Sequence, residues 1–317
     1  MPLRVAVFGT GEFALPTFRA LMESDRHEVV AAYTQPDRTG RGHHRHVNKV
    51  KELATGHDVP VFQPQNINQP DVLEQLKALA ADVFIVAAYG QILKAEFLAI
   101  APLGAFNLHG SLLPRHRGAA PVQYSIWKGD ADAGVTIFQI ELALDSGPMI
   151  GQISTPIGPQ ETSGELMVRL ADLSPGLTLK ALDELQAGTA RFEAQDTSLV
   201  TLAGKIKKED GLINWTQSAR EIDCHVRAMQ PWPKASTVLH VPDRKPLRCI
   251  IVQATPLDEP GNANSPPGSV VKDDRPLVVQ TGGGLLAVQT IQPEGKKPMD
   301  ATSFANGYGI GDGAKFT

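Results

Sequence analysis

The first half of the chain alternates short apolar runs with segments whose apolar residues recur at helical spacing. The helical pattern covers Glu12–Glu23, Asp71–Ala80 and Ala120–Lys128. The apolar runs predict β-strands at Arg4–Phe8, Val29–Thr34, Val83–Ala87, Ala105–Leu108 and Val135–Gln139. Strands that alternate with helices are typical of βαβ units. We therefore predict an α/β domain with a doubly wound, Rossmann-like, mostly parallel sheet, which would bind its ligands at the carboxyl ends of the strands.

The second half of the chain has a different pattern. A long predicted helix at Glu165–Gln186 is followed by a polar, glycine-containing segment that reaches Gly204. One more helix is predicted at Ser218–Met229, and short apolar runs between Pro, Gly and Asp residues then predict strands at Ser236–Val241, Leu247–Ala254, Ser269–Val271, Leu277–Gln280 and Leu285–Gln292. Such strands favour a smaller OB-like β-barrel. The predicted division is a catalytic domain at 1–187, a linker at 188–204 and the OB-like domain at 205–317.

Length and composition agree with two folded domains. A chain of 317 residues exceeds the usual size of a single core, and 42% hydrophobic residues with a net charge of -4 exclude a largely disordered protein. No run approaches the roughly 18 apolar residues of a membrane span, and no signal peptide is visible. Cys224 and Cys249 lack the number for a disulfide framework and the spacing of a zinc site. We expect a cytoplasmic monomer without a metal or a membrane partner.

A glycine-rich turn follows the first predicted strand. The stretch Gly9-Thr10-Gly11-Glu12-Phe13-Ala14 matches the G-x-G-x-x-[GA] fingerprint of dinucleotide-binding enzymes, so an oxidoreductase is one alternative. That class places an acidic residue at the end of the second strand, whereas this strand ends Tyr33-Thr34-Gln35-Pro36. Glu12 also puts a negative charge where a pyrophosphate would approach the helix. Both features favour glycines that serve the turn itself.

Asn107 and His109 lie two residues apart at the end of the strand predicted at Ala105–Leu108. Side chains at this spacing project from the same face of a strand. Each residue alone is more often structural, as a turn residue or as one of nine histidines. Together, a carboxamide and an imidazole can stabilise an oxyanion and move a proton, which are the needs of acyl transfer without a covalent intermediate. Asp145, on a loop after the strand Val135–Gln139, is a candidate carboxylate to orient the imidazole.

These residues carry a resemblance to a known family. The chain contains Asn107-x-His109-Gly110-Ser111-Leu112-Leu113-Pro114-x-x-Arg117-Gly118, and Asp145-Ser146-Gly147 follows. This pattern resembles the signature of the folate-dependent formyltransferases, which include enzymes acting on glycinamide ribonucleotide, on amino sugars and on methionyl-tRNA. The resemblance implies that an amine attacks the formyl carbon of 10-formyltetrahydrofolate, the co-substrate. It also implies catalytic roles for Asn107, His109 and Asp145.

The same resemblance implies where the reduced folate binds. Tyr89, Gly90, Gln91 and Ile92 resemble the family's loop that grips the pterin ring through its backbone. The turn Ser111, Leu112, Leu113 and Pro114 resembles the family's second folate contact. Without the resemblance, the first of these segments is an ordinary exit from a strand.

A basic connector follows the second predicted strand and runs to Lys51. It carries Arg38, Arg41, Arg45, Lys49 and Lys51, without an acidic residue from Arg38 onward. Composition alone leaves a phosphate-binding element and a solvated charged loop as equal alternatives. The connector is similar to the loop with which tRNA-directed members of the family grip the acceptor arm. It departs from their pattern where His44-Arg45-His46-Val47-Asn48 replaces a proline-containing stretch.

The acceptor is inferred from the basic connector and from the C-terminal residues. The stretch Gln292-Pro293-x-Gly295-Lys296-Lys297-Pro298-Met299 resembles a barrel segment of the tRNA-directed branch. The resemblance therefore implies initiator methionyl-tRNA as the partner. A sugar-nucleotide N-formyltransferase with the same folate donor is the main alternative. A hydrolase that releases formate from the folate and a nucleic-acid-binding module with an inactive first domain are the others.

Overall fold

The computed structural model describes residues 1–37, 48–262, 264–311 and 313–317. It separates into two compact units that are not continuous along the chain. The first unit contains Met1–Pro121, Asp132–Pro156 and Met167–Ala203, and the second contains Val122–Ala131, Ile157–Leu166 and Gly204–Thr317.

The elements before residue 204 are nine strands and six helices within the described ranges. The strands are β1 (Arg4–Gly9), β2 (Glu28–Tyr33), β3 (Val61–Phe62), β4 (Val83–Ala87), β5 (Ala105–His109), β6 (Arg117–Gly118), β7 (Asp132–Gln139), β8 (Met149–Pro156) and β9 (Leu202–Ala203). The helices are α1 (Leu15–Met22), α2 (Lys49–Gly56), α3 (Pro70–Ala78), α4 (Ala95–Leu98), α5 (Pro121–Trp127) and α6 (Ser163–Ala187).

The main sheet of the first unit has the strand order β3-β2-β1-β4-β5-β7-β8. The strands from β3 to β5 are parallel, and β7 and β8 extend the sheet in antiparallel pairings. The predicted doubly wound, mostly parallel sheet is therefore confirmed. Because the order reverses between β1 and β4, the loops after these two strands flank the crevice where such sheets bind ligands.

The first unit is built around a cluster of aromatic rings beneath that crevice. Phe8 is fully buried, and its ring centroid lies 4.8 Å from Tyr33, 5.1 Å from Phe84, 5.1 Å from Phe97 and 5.7 Å from Tyr89. Parallel strands that are buried on both faces read as unbroken apolar runs, and this explains why their positions could be predicted. The cluster fixes the strands whose ends carry the loops.

Several elements before residue 204 were not predicted. Strands β3, β6 and β9 were missed because each has only two residues, the four-residue helix α4 was also missed, and the edge strand β8 was not recognised. The basic connector was predicted to reach Lys51, but α2 begins at Lys49. Asn48 caps this helix, because its Oδ1 accepts a hydrogen bond from the backbone N–H of Lys51 at 3.1 Å.

The second unit contains an antiparallel sheet. Its strands are β10 (Ala235–His240), β11 (Leu247–Leu257), β12 (Val270–Val271), β13 (Val278–Gln280), β14 (Leu285–Pro293), β15 (Met299–Asp300) and β16 (Lys315–Phe316), and its helices include α7 (Ala219–Ala228) and α8 (Ala301–Tyr308). The order is β12-β13-β14-β11-β10-β16, with β15 paired to β14. A bridge between Ser269 and Lys315 joins the two ends, so the sheet is nearly closed. The predicted small barrel is confirmed.

In the part of the chain that the structure describes, every helix is too short or too polar to cross a bilayer.

Replacement of Phe8 by Ala should strongly destabilise the first unit. The change removes a fully buried ring that four other rings contact, and such truncations typically cost ~3–5 kcal/mol. Denaturant unfolding followed by circular dichroism measures the effect. Val168→Ala, at a side chain that is 59% exposed on α6, is the control and should change the free energy of unfolding little. Equal effects of the two changes would contradict the assignment of Phe8 to the core.

Candidate active site

Asn107 and His109 occupy the carboxyl end of β5, in the middle of the sheet. Asn107 is paired with Val86 on β4 and with Phe138 on β7, and His109 lies opposite Thr136. His109 is 5% exposed. Within the described ranges the Asn107 carboxamide has no hydrogen-bonding partner in the protein, whereas Nε2 of the His109 imidazole is hydrogen-bonded and its Nδ1 faces Asp145 beyond hydrogen-bond distance. The carboxamide and the imidazole lie two residues apart on the same strand.

The two ring nitrogens of His109 face different groups. Nε2 lies 2.8 Å from the backbone carbonyl of His116, and Nδ1 lies 3.7 Å from Oδ2 of Asp145. A carbonyl only accepts hydrogen bonds, so Nε2 must carry the proton in the neutral ring. Nδ1 is then the nitrogen that gains or loses a proton, and the carboxylate stabilises its protonated form.

Burial and the carboxylate act on His109 in opposite directions. Burial lowers the pKa of His109 below its ordinary value of 6.5, and this is the largest effect. Asp145 and the hydrogen bond to the His116 carbonyl raise the pKa, while the nearby His116 ring lowers it. The net effect is a lowered pKa, which favours the neutral ring, the form that can accept a proton.

Asp145 belongs to a tight loop between β7 and β8. Its φ angle is +45°, in the left-handed region that non-glycine residues seldom adopt. Its Oδ2 accepts a hydrogen bond from the backbone N–H of Gly118 at 2.7 Å. A Cβ on Gly147 would lie 1.8 Å from the carbonyl oxygen of Gln139, so only glycine fits there. The loop therefore places the carboxylate beside the imidazole, as the sequence predicted it could.

The loop after β4 was predicted to contact a folate. Tyr89 is buried and its hydroxyl has no hydrogen-bond partner among the residues that the structure describes, while Ile92 is 83% exposed. Gly90 has a φ of +80°, which a side chain would strain. The Gln91 amide ties the loop to its neighbours, because Oε1 accepts from Ile67 N at 2.8 Å and Nε2 donates to the Pro64 carbonyl at 3.1 Å. The loop thus combines a braced backbone with an exposed apolar side chain.

The turn Ser111 to Pro114 is braced by two residues that sequence reasoning missed. Thr136 is fully buried, and its Oγ1 donates to the Ser111 carbonyl at 2.7 Å and accepts from Leu113 N at 3.1 Å. Gln152 Nε2 donates to the Leu113 carbonyl at 3.1 Å and to Thr136 Oγ1 at 2.9 Å. A buried threonine opposite His109 could have been found from the strand register, but Gln152 gives no signal in the sequence.

Part of the predicted tRNA-binding set cannot be placed. Arg38, Arg41 and Arg45 lie outside the described residues. Lys49 and Lys51 lie in the first turn of α2, where Lys49 Nζ is 2.5 Å from Glu12 and Lys51 Nζ is 2.6 Å from Asp37. All four side chains are more than 40% exposed. A phosphate would therefore compete with these carboxylates for the two lysines.

The glycine-rich turn after β1 serves packing. A Cβ on Gly9 would lie 2.6 Å from the Ala87 carbonyl oxygen and 2.7 Å from the ring of Phe18. Glu12 forms its ion pair with Lys49 at the entrance of the following helix. The turn thus brings β1, β4 and α1 close together and keeps a negative charge where a pyrophosphate would bind.

Replacement of Asp145 by Asn should lower the pKa of His109 further, because it removes a charge that raises this pKa and leaves the burial that lowers it. The unfolded state then binds more protons than the folded state below about pH 6.5, so the folded protein loses stability as the pH falls through this value. The variant should extend that loss to lower pH. An NMR titration of the His109 ring measures the shift.

Asp183→Asn is the matched control, because Asp183 similarly raises the pKa of the buried His27. It should move the titration of His27 and leave that of His109 in place. A His109 titration that is identical in the wild type and in Asp145→Asn would contradict the proposed pairing.

Comparison with known families finds two matches that together span most of the chain. Residues 3–182 match the model described as "Formyl transferase", and residues 205–309 match "Formyl transferase, C-terminal domain". Residues 183–204 lie between the two matches.

Curated relatives and solved structures agree with these matches. A methionyl-tRNA formyltransferase from Pseudoalteromonas translucida is 40% identical over 96% of this chain and 94% of its own. One from Solibacter usitatus is 40% identical over 99% of this chain and 98% of its own. The crystal structure of WlaRD, a sugar 3N-formyl transferase, in the presence of dTDP and 5-N-formyl-THF shares the fold, with a TM-score of 0.65, 16% identity, and coverage of 94% of this chain and 100% of that chain. The chain belongs to the formyl transferase family.

Proposed function

We propose that this protein transfers a formyl group from 10-formyltetrahydrofolate to the free amino group of initiator methionyl-tRNA. The observation that carries the reaction is the assembly of Asn107, His109 and Asp145 at the ends of β5 and β7. The acceptor is supported by 40% identity, over nearly the full length, to curated methionyl-tRNA formyltransferases. In this proposal the protein acts in the cytoplasm as a monomer, during initiation of translation.

The proposed reaction requires a bond exchange at one carbon. The amine nitrogen attacks the formyl carbon, a negative charge develops on the formyl oxygen, and the bond between that carbon and N10 of the folate then breaks. One proton must leave the amine and one must reach N10. The acceptor becomes an N-formyl amide, and the donor becomes tetrahydrofolate.

Asn107 and His109 have separate tasks in this proposal. The unpartnered carboxamide of Asn107 donates a hydrogen bond to the developing oxyanion. Nδ1 of His109, which is the free nitrogen because Nε2 is bonded to the His116 carbonyl, accepts the proton of the amine. The resulting imidazolium lies 3.7 Å from Asp145, which stabilises its charge, and it can donate to the oxyanion and then to N10.

The folate is proposed to lie between the loop after β4 and the turn after β5. Tyr89, Gly90, Gln91 and Ile92 would hold the pterin, and Ser111, Leu112, Leu113 and Pro114 would form the second contact. Two observations fit a planar, partly polar ring at this place. In the described part of the chain the buried Tyr89 hydroxyl lacks a hydrogen-bond partner, and Ile92 offers an exposed apolar side chain. Burial also raises the pKa of Tyr89, so this hydroxyl keeps its proton.

The proposed grip on tRNA uses the basic segment Arg38, Arg41, Arg45, Lys49 and Lys51, together with an OB-like domain at 205–317. A catalytic domain at 1–187 and a linker at 188–204 complete this proposed organisation. Electrostatic attraction to the phosphates would supply the affinity of this segment for tRNA and make it depend on salt.

A sugar-nucleotide N-formyltransferase is the second candidate, because the solved sugar 3N-formyl transferase has the same fold. One assay separates the candidates. The protein is incubated with 10-formyltetrahydrofolate and with charged initiator tRNA, charged elongator tRNA or an amino-sugar nucleotide, and the formylated product is identified by mass spectrometry. We expect a product with initiator tRNA alone. A formylated sugar without formylated tRNA would overturn the proposed acceptor.

Asn107→Ala or His109→Ala should abolish most of the activity without unfolding the protein. Removing one donor to an oxyanion typically costs ~100- to 1000-fold in rate. The measurement is the single-turnover rate at saturating folate and tRNA, with circular dichroism to check the fold. A wild-type rate in either variant would contradict the catalytic role proposed for that residue.

Arg41→Ala with Arg45→Ala should weaken tRNA binding and flatten its dependence on salt. Each lost phosphate contact reduces the slope of log K against log salt by ~0.9 for duplex nucleic acid. Binding to charged initiator tRNA is measured at several salt concentrations. Lys77→Ala, at an exposed lysine on α3 that pairs with Glu74, is the control. If the variant's slope of log K against log salt equals that of the wild type, Arg41 and Arg45 are solvated surface residues and do not contact tRNA.

A further inference from the structure

The residues that follow α6 are hydrogen-bonded to the strands of the active site. Glu193 forms a β-bridge with Met149 at the start of β8. Leu202 and Ala203 form the strand β9, which pairs in parallel with Arg117 and Gly118. The segment therefore pairs with β8, which follows the Asp145 loop, and with β6, whose Gly118 binds the Asp145 carboxylate.

Gln195 is the buried polar residue of this segment. It is 8% exposed, and its Nε2 donates to the backbone carbonyls of Asp145 and Gly147, both at 2.8 Å. These two carbonyls lie on either side of Ser146. A single amide group therefore spans the loop that carries the proposed catalytic carboxylate.

Arg117 sets the orientation of the Gln195 side chain. Its Nε and Nη2 donate to Oε1 of Gln195 at 3.0 and 2.7 Å. A guanidinium has only donors, so it selects the oxygen of the amide and turns the NH2 group towards the Asp145 loop. The next residue, Gly118, donates its backbone N–H to Oδ2 of Asp145 at 2.7 Å. Asp145 is thus fixed through its carboxylate by Gly118 and through its backbone by Gln195.

The Asp145 loop needs such a restraint. Asp145 has a φ of +45°, and backbone strain of this kind costs ~1–3 kcal/mol and persists only where the surroundings enforce it. The preceding side chains do not anchor the loop, since Leu142 is 74% exposed and Leu144 is 62% exposed. The loop has hydrogen bonds of its own, from Ser146 Oγ to the Ala143 carbonyl and from Gln139 N to the Pro148 carbonyl, and the hydrogen bonds from Gln195 and Gly118 tie it to the neighbouring segments.

We propose that Gln195 is a positioning residue for the formyl transfer, which clamps the backbone of the Asp145 loop so that the carboxylate stays beside Nδ1 of His109. The proposal rests on the proposed function, because it assigns Gln195 a role in the same reaction. It gives Gln195 no contact with the folate or with the acceptor. The groups that face the His109 ring remain the Asp145 carboxylate and His116.

The clamp predicts a particular kinetic signature. Gln195→Met keeps the volume of the side chain and removes the two donors, and Gln195→Glu removes the donors but keeps an acceptor for Arg117. Both variants should lower kcat by ~10- to 100-fold, the size of effect that follows a displacement of about 1 Å at a catalytic group. The KM for the folate should stay near the wild-type value, because the loops proposed to bind it keep their own braces.

The titration of His109 gives a second readout that needs no substrate. In Gln195→Met the backbone of the Asp145 loop loses its clamp and the carboxylate keeps only the hydrogen bond from Gly118, so the carboxylate should lie farther from the ring on average and the pKa of His109 should fall towards the value in Asp145→Asn. Gln280→Met is the matched control, because Gln280 is 6% exposed and its Nε2 likewise donates to a carbonyl, that of Thr281, at 2.8 Å in the second unit. It should leave the His109 titration unchanged.

The outcomes separate the clamp from the wider proposal. A lower melting temperature with unchanged kcat and unchanged His109 titration would make Gln195 a purely structural residue and overturn the inference. A raised KM at constant kcat would also overturn it. The kinetic arm uses whichever acceptor the wild type formylates, so a wrong acceptor does not affect the test. If the wild type formylates nothing, the proposed function fails while the NMR arm still decides whether Gln195 holds Asp145 beside His109.

Discussion

The hydrogen bond between Nε2 of His109 and the backbone carbonyl of His116 is the constraint on which the active site depends. It is made inside a buried environment, where an unsatisfied ring nitrogen would be costly. It determines which nitrogen carries the proton, and so which nitrogen faces Asp145. The carbonyl is itself held in place, because His116 has a φ of +60° and its N–H donates to Thr201 Oγ1 at 2.8 Å. The backbone of His116 therefore links His109, at the end of β5, with Thr201 in the segment after α6.

The fold as a whole could be predicted from the sequence because the buried strands are unbroken apolar runs and the long helices have clear periodicity. Shorter elements could not, since the two residues of β3 carry no period, and the burial of β8 alternates along an edge. The start of α2 was missed because the charged residues around it suggested a connector. Asn48 is a suitable N-cap and gave a local signal that was overlooked.

The residues of the candidate site could be predicted where they lie at the end of a strand or in the loop after one. Asn107 and His109 share a strand face, and Asp145 lies in a turn of recognisable sequence, so their meeting could be inferred. Thr136 lies opposite His109 in the strand register, but its hydrogen bonds, like those of Gln152 and Gln195, could not be found in this way. Each acts through hydrogen bonds to backbone carbonyls that are distant in sequence, and an isolated threonine or glutamine has no pattern that distinguishes such a role from solvent exposure. Positioning residues of this kind become visible only when the chain is folded.

Gly9 shows that a glycine at this turn can serve close packing in one protein and nucleotide binding in another. The sequence around it matches a nucleotide-binding fingerprint, yet the space that its missing side chain leaves is filled by the Phe18 ring and the Ala87 carbonyl. A fingerprint of this type therefore describes first how closely a strand, a turn and a helix can approach, and only second what they bind. Evolution can retain such a glycine in an enzyme that has no use for the nucleotide, because the packing of the sheet alone is sufficient to select against any larger side chain.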